Sequence, residues 1–368
     1  MAHPPERGSK PRSGKGGIAS ALFGAVEEAV EEFVEVVEAV PASAHDVVRS
    51  TVALATRFPG NALDYVGKYH GISVPEYSVV SDRIEKSART INTPVREYLN
   101  DRLSNRADNK PEKRHVLKDH LLYNSRLLAG QFEIANDGRT LTVSRGGVTV
   151  LSVGLAEVST CFFGKGTPEM LAKTIELLGL WVLYCREIRK IDTKKITVKR
   201  PDKDGNKQEK TFEYEIGNLQ TMVDGYLGVD CNGFTGRFLK ARYPLLLIEP
   251  GSTEESYVKD KTQIRKKLAD IKVDDTAVFH KHGSYHHVAM VSMVVTRSAD
   301  EARVMLAESR TQHMMAGGPR SDLWLVKPQR TGKKEDGDLI EGQFDVLGRD
   351  KEKFVKFVAP HSVEKAPK

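Results

Sequence analysis

Cys231 and His287 stand where a thiol and an imidazole can do acyl-transfer chemistry together. Asp230 precedes the cysteine and is a natural N-cap, because its carboxylate can accept the free backbone N–H two or three residues on. Phe234, Phe238 and Ala241 follow at near-helical spacing until Pro244 stops the run. The spacing predicts a helix whose first turn holds Cys231, where unpaired N–H groups and the helix dipole favour thiolate over thiol. His287-Val288-Ala289-Met290-Val291 reads as the start of a very apolar strand. The thiolate is the form that attacks a carbonyl, and an imidazole beside it takes the proton and later returns it. A lone helical cysteine is in general a small buried hydrophobe, so it is the pair that points to chemistry.

A third polar group normally orients such an imidazole and stabilises its imidazolium. Arg303-Val304-Met305-Leu306-Ala307-Glu308-Ser309 reads as the next strand, reached through the polar Thr296-Arg297-Ser298-Ala299-Asp300. A hairpin about that turn returns Glu308 to the His287 end. Gln312 and His313 are further candidates for the third group. His286 precedes His287, and either is placed to be the base. Backbone N–H groups at the start of the cysteine helix would hold the oxyanion of a tetrahedral intermediate. Asp230 and Asn232 flank that position, and Tyr226 is a candidate to frame the pocket.

Gly228-Val229-Asp230-Cys231-Asn232-Gly233-Phe234 resembles the Gly-x-Asp-Cys-Ser-Gly signature of the NlpC-type papain-like cysteine peptidases, with Asn232 where the family has serine. Asp275-Thr276-Ala277-Val278-Phe279, followed by the strand opening at His287, resembles that family's second element. The resemblance spans roughly residues 220–312 and, aligned on Val288-Ala289, selects His287 as the base. An acidic third group at Glu308 is similar to the arrangement in CHAP amidases. The resemblance implies an α+β fold, with a papain-like domain of helix packed on antiparallel sheet. It also implies an enzyme that cuts amide bonds in peptidoglycan peptides without a cofactor. Two other readings stay open: the same pair acting on protein side chains as a deamidase, transglutaminase or acyltransferase, and an inactive module that only binds.

Cys161 and Cys185 lie in apolar runs and read as buried and inert. Three cysteines without a Cys-x-x-Cys pair give neither a zinc site nor a disulfide framework. His280, His282, His286 and His287 cluster without an acidic ligand pattern nearby, so no metal is expected. A formal net charge of +6 favours an anionic polymer such as cell wall. No aromatic-interleaved basic stripe marks the chain as a nucleic-acid binder. No apolar run reaches the length of about 18 residues that a membrane helix needs. Lys10, Arg12 and Lys15 precede an apolar stretch, but Glu27, Glu28, Glu31 and Glu32 interrupt it, unlike a signal peptide. Work on a cell wall would then require another export route, and the localisation is left open.

The elements that must position these residues follow from patterning. Residues 1–17 read as a disordered tail, and 18–40 as an amphipathic helix, either packed on its own domain or docking a partner. The region 18–130 reads as mainly helical, 131–160 as a small β meander with glycine turns, 161–345 as the papain-like domain, and 346–368 as a last strand and tail. Thr167-Pro168 starts a helix to about Lys190, and a hairpin with a lysine-rich tip precedes the cysteine helix.

Overall fold

The computed structural model describes residues 60–80, 83–90, 110–123, 132–201, 207–281, 284–312, 315–329, 342–347 and 354–364. The expected tail and the 18–40 helix lie outside these residues. Helix α1 (Ala62–His70) starts at Asn61 with a reciprocal capping box to Asp64. A hairpin of β1 (Ser73–Val80) and β2 (Arg83–Thr90) follows, then α2 (Lys110–Tyr123). The meander is β3 (Glu133–Asn136), β4 (Thr140–Arg145) and β5 (Val148–Gly154). Gly138 takes φ 85° in its first turn, a backbone state that glycine adopts without strain. Helix α3 (Leu155–Phe162) leads into α4 (Pro168–Leu183), which is capped by Thr167 as its sequence predicts. A second hairpin, β6 (Thr193–Pro201) and β7 (Lys207–Glu215), precedes α5 (Leu219–Tyr226), the cysteine helix α6 (Cys231–Arg242) and the short α7 (Glu254–Tyr257).

Six strands then run up and down in chain order. They are β8 (Thr276–Lys281), β9 (Ser284–Arg297), β10 (Ala302–Gln312), β11 (Met315–Pro328), β12 (Phe344–Leu347) and β13 (Phe354–Val358). Each pairs antiparallel with the next, and β13 returns to β8, closing a barrel. Strand β9 carries the extra residues that closure needs: His286, Ser292 and Val295 are skipped in its registers with β8 and β10. Such bulges bend and twist a strand, as a small barrel requires.

Strand β9 is apolar without interruption from Val288 to Val291 because both of its faces are covered. Ala289 and Val291 join Phe279, Leu306, Trp324 and Phe357 in the barrel's own cluster. Val288 and Met290, on the opposite face, join the larger helical core with Val278, Ala307 and Val358. Helix α6 lies against β9 and β10 on that outer side. Its Phe234 and Phe238 are fully buried and meet Tyr65 of α1 at ring-centroid distances of 5.5 and 5.8 Å.

Three sequence expectations change. The region expected to be mainly helical contains the β1–β2 hairpin. Val74 and Tyr77 of β1 are buried, and the Tyr77 hydroxyl bonds Glu176 of α4, so packing on α4 sets the local structure where the charge content suggests a solvated helix. The meander is not a separate body either. The described residues form one compact unit, and Leu141 and Val153 share a core with Leu171 and Ile175. The last strand is integral, since β13 closes the barrel. No helix among the described residues is long and apolar enough to cross a membrane.

One ion pair fastens the loop after α7 to the barrel. Arg265 donates to both oxygens of the fully buried Asp275, at 3.0 and 2.8 Å, and the Lys272 N–H adds a third bond at 2.8 Å. Removing one partner of such a pair strands the other charge. Asp275→Ala should therefore lower the unfolding free energy by about 3 kcal/mol or more. Urea unfolding followed by the fluorescence of the buried Trp181 and Trp324 measures it.

Candidate active site

The start of α6 is built by a close approach of two backbones. Asp230 caps the helix through the Gly233 N–H, while its own N–H donates to the Gly164 carbonyl at 3.0 Å. Lys165 reaches the second oxygen of Asp230 at 2.5 Å. A Cβ at residue 233 would stand 2.1 Å from the Gly164 oxygen, so only glycine lets the turn after α3 lie this close to the helix. Ser309 of β10 donates to the Val229 carbonyl at 2.5 Å, fastening the chain ahead of Cys231 to the strand that carries Glu308.

Cys231 is the first residue of α6, His287 lies near the start of β9, and Glu308 lies on β10. By strand alternation His287 shares the barrel-lining phase of Ala289 and Val291, and Glu308 that of Val304 and Leu306. His287 Nε2 meets Glu308 Oε2 at 2.6 Å, with the ring 5.5 Å from Phe279. The imidazole and the Cys231 sulfur are close enough to act on each other's protonation. With Nε2 engaged by Glu308, Nδ1 is the ring nitrogen left for the sulfur. The neighbouring His286 is the exposed bulge residue, which places it off the register that aims His287 inward.

Glu308 is 0% exposed, and its second oxygen has no hydrogen-bond partner. A buried carboxylate in that state is stabilised by a cation beside it. Burial alone would keep His287 neutral, but its bonds to Cys231 and Glu308 outweigh that and lift it well above the ordinary histidine value. Burial pushes the Cys231 thiol up, and the His287 bond opposes that rise. The contact with the fully buried Glu308 favours the imidazolium once His287 has taken a proton. Burial holds the other two thiols neutral, Cys161 at about 12 and Cys185 at about 11. As a unit, the three side chains can move a proton from sulfur to imidazole while Glu308 balances the charge.

The other expected residues divide. Asp230 is the cap, and burial raises its carboxyl against the pull of Lys165. Asn232 Nδ2 donates to Glu254 at 2.8 Å. The Tyr226 ring packs 5.5 Å from Tyr214, with Glu215 and Arg114 acting on it. The side chain of Gln312 and all of His313 lie outside the described residues. His280 is stacked on Phe354, and no cluster among the described residues could hold a metal ion. Sequence reasoning missed Glu254, Lys165 and Ser309. Each reaches the site from a loop or strand that carries no spacing signal toward the cysteine.

No protein family, curated protein or solved structure matches the chain.

Two outcomes test this geometry. In Glu308→Gln the imidazolium loses its anionic neighbour, so the His287 titration followed by NMR of its ring proton should move to lower pH. The pair's stability contribution is fully present below the ordinary histidine value and fades as pH rises through the raised one, so the variant should also lose the wild type's alkaline decline in stability. Gly233→Ala should destabilise the fold by about 2–3 kcal/mol, read from thermal unfolding. An unchanged midpoint would mean that the turn after α3 yields freely.

Proposed function

We propose that this chain is a cysteine hydrolase of amide bonds, with Cys231 as nucleophile, His287 as general acid and base, and Glu308 as the group that holds the imidazolium. The observation that carries the reading is the 2.6 Å contact between His287 and the buried Glu308, with the Cys231 sulfur near enough to the imidazole for each to shift the other's protonation. Cys161 and Cys185 are buried free thiols, and no imidazole acts on either.

The steps balance around one proton. His287 takes the thiol proton as sulfur bonds the carbonyl carbon, and the oxyanion forms at the start of α6, where backbone N–H groups face it. Collapse breaks the C–N bond, and the imidazolium passes its proton to the departing amine, leaving a thioester on Cys231. Water then attacks the thioester. His287 takes a proton from the water, and returns it to sulfur when the carboxylic acid leaves. The sum is amide plus water to acid plus amine.

The substrate class rests on the resemblance to NlpC-type peptidases in the Asp230-Cys231 and His287-Val288 segments, and it favours peptide bonds of peptidoglycan. Purified sacculi incubated with the protein should release defined muropeptides. Cys231→Ala and His287→Ala should each lower that release by about 10³-fold or more. Ammonia liberated from a protein substrate, with sacculi untouched, would move the assignment to side-chain deamidation. Release that survives in Cys231→Ala would end the hydrolase reading.

A further inference from the structure

The proton transfer just described leaves one charged neighbour of the sulfur without a role. Glu254 opens the short helix α7, and its Oε1 lies 3.9 Å from Cys231 Sγ and 2.8 Å from Asn232 Nδ2. A carboxylate beside a nucleophilic sulfur opposes formation of the thiolate, since the two charges are alike. Its position is nevertheless fixed by Asn232, the residue that replaces the serine of the resembled signature. The sulfur thus has two competing partners. Donation to Glu254 keeps the proton on sulfur, and donation to His287 removes it.

A second feature points to what relieves this. Asn232 is 7% exposed, and with Nδ2 turned to Glu254 its amide oxygen has no partner. The hydroxyl of Tyr257, on the same face of α7 as Glu254, is fully buried and likewise unpartnered. Lys165 is engaged by Asp230, on the other side of the helix start. Glu254, beside the sulfur, and the unpartnered oxygen of Asn232, on the residue bonded to it, are thus two neighbouring acceptors, one of them charged. Glu254 itself is half-buried, so an arriving group can reach it.

We infer that Glu254 and Asn232 form a subsite for a primary ammonium of the substrate, held next to the carbonyl that Cys231 attacks. The inference rests on the hydrolase reading and narrows its substrate class. An ammonium offers three N–H donors, enough for Glu254 and the Asn232 oxygen together. The distance from Glu254 to the sulfur suits an amine on the same amino acid that contributes the scissile carbonyl, where the α-nitrogen is two bonds from the carbonyl carbon. Occupation of the subsite neutralises the opposing charge and frees the sulfur to donate to His287. The nucleophile is then most active when the amine is bound.

Charge-matched thiol reagents test this without any peptide. Cys231 is modified by aminoethyl (cationic), methyl (neutral) and sulfonatoethyl (anionic) methanethiosulfonate, with rates read by mass spectrometry of the Cys231 peptide and normalised to the neutral reagent. The folded wild type should favour the cationic over the anionic reagent by at least about 10-fold. Glu254→Gln should bring that ratio close to one, and the charge-conserving Glu254→Asp should retain the preference. A ratio unchanged in Glu254→Gln overturns the subsite, even if muropeptide release persists. Loss of the ratio supports the subsite, even if sacculi prove not to be the substrate. A sulfur that none of the three reagents reaches in the folded protein defeats the subsite and the hydrolase reading together.

Discussion

A carboxylate with no exposed surface, bonded to an imidazole and to nothing else, is the constraint around which this protein is organised. Glu308 cannot remain ionised in that setting unless His287 answers it, and the 2.6 Å contact is that answer. The pair also fixes which ring nitrogen is left for the sulfur, since Nε2 is taken. A histidine restrained only by packing could present either nitrogen, and the proton would have no defined direction to travel. The barrel supplies the restraint. Two neighbouring strands hold the two side chains in the same lining phase, and closure through β13 prevents either strand from sliding.

The helix is held to the barrel by equally specific means. Ser309 grips the carbonyl of Val229, Asp230 is caught between Lys165 and the Gly233 N–H, and Gly233 admits the Gly164 carbonyl. Phe234 and Phe238 then anchor the helix on Tyr65 and Tyr69, so α1 takes part in placing the sulfur from more than a hundred residues away. The sulfur's position is therefore a property of the whole unit.

Much of this could be read from the chain because the signals were local. The cap, the helical spacing after Cys231 and the return of Glu308 through a polar turn all depend on residues close in sequence. The choice between His286 and His287 was harder, since it depends on a bulge that a strand's composition does not encode. The β1–β2 hairpin was misread because Arg83, Glu85, Lys86 and Arg89 look like a solvated helix until α4 covers the other strand. The packing of Tyr226 on Tyr214 was not legible for a similar reason: proximity in sequence to the cysteine says nothing of which face α5 turns toward Tyr214. Glu254 could not be found at all. It reaches the sulfur only because a loop folds back, and no periodicity marks that return.

The charges around the sulfur then form a balance rather than a simple activation. Two unit charges about 4 Å apart interact by roughly 4 kcal/mol at an effective dielectric near 20, so an ionised Glu254 opposes the thiolate, though by less than His287 favours it. Burial adds a further penalty on the charged sulfur. Burial and the neighbouring carboxylates disfavour the thiolate while His287 favours it, and the helix dipole, worth under about 1 kcal/mol at most exposed sites, is a small addition. A balance of this kind responds to any cation that enters beside Glu254. It also protects a nucleophile from indiscriminate reaction, because a sulfur that ionises mainly on demand meets fewer wrong partners as an anion.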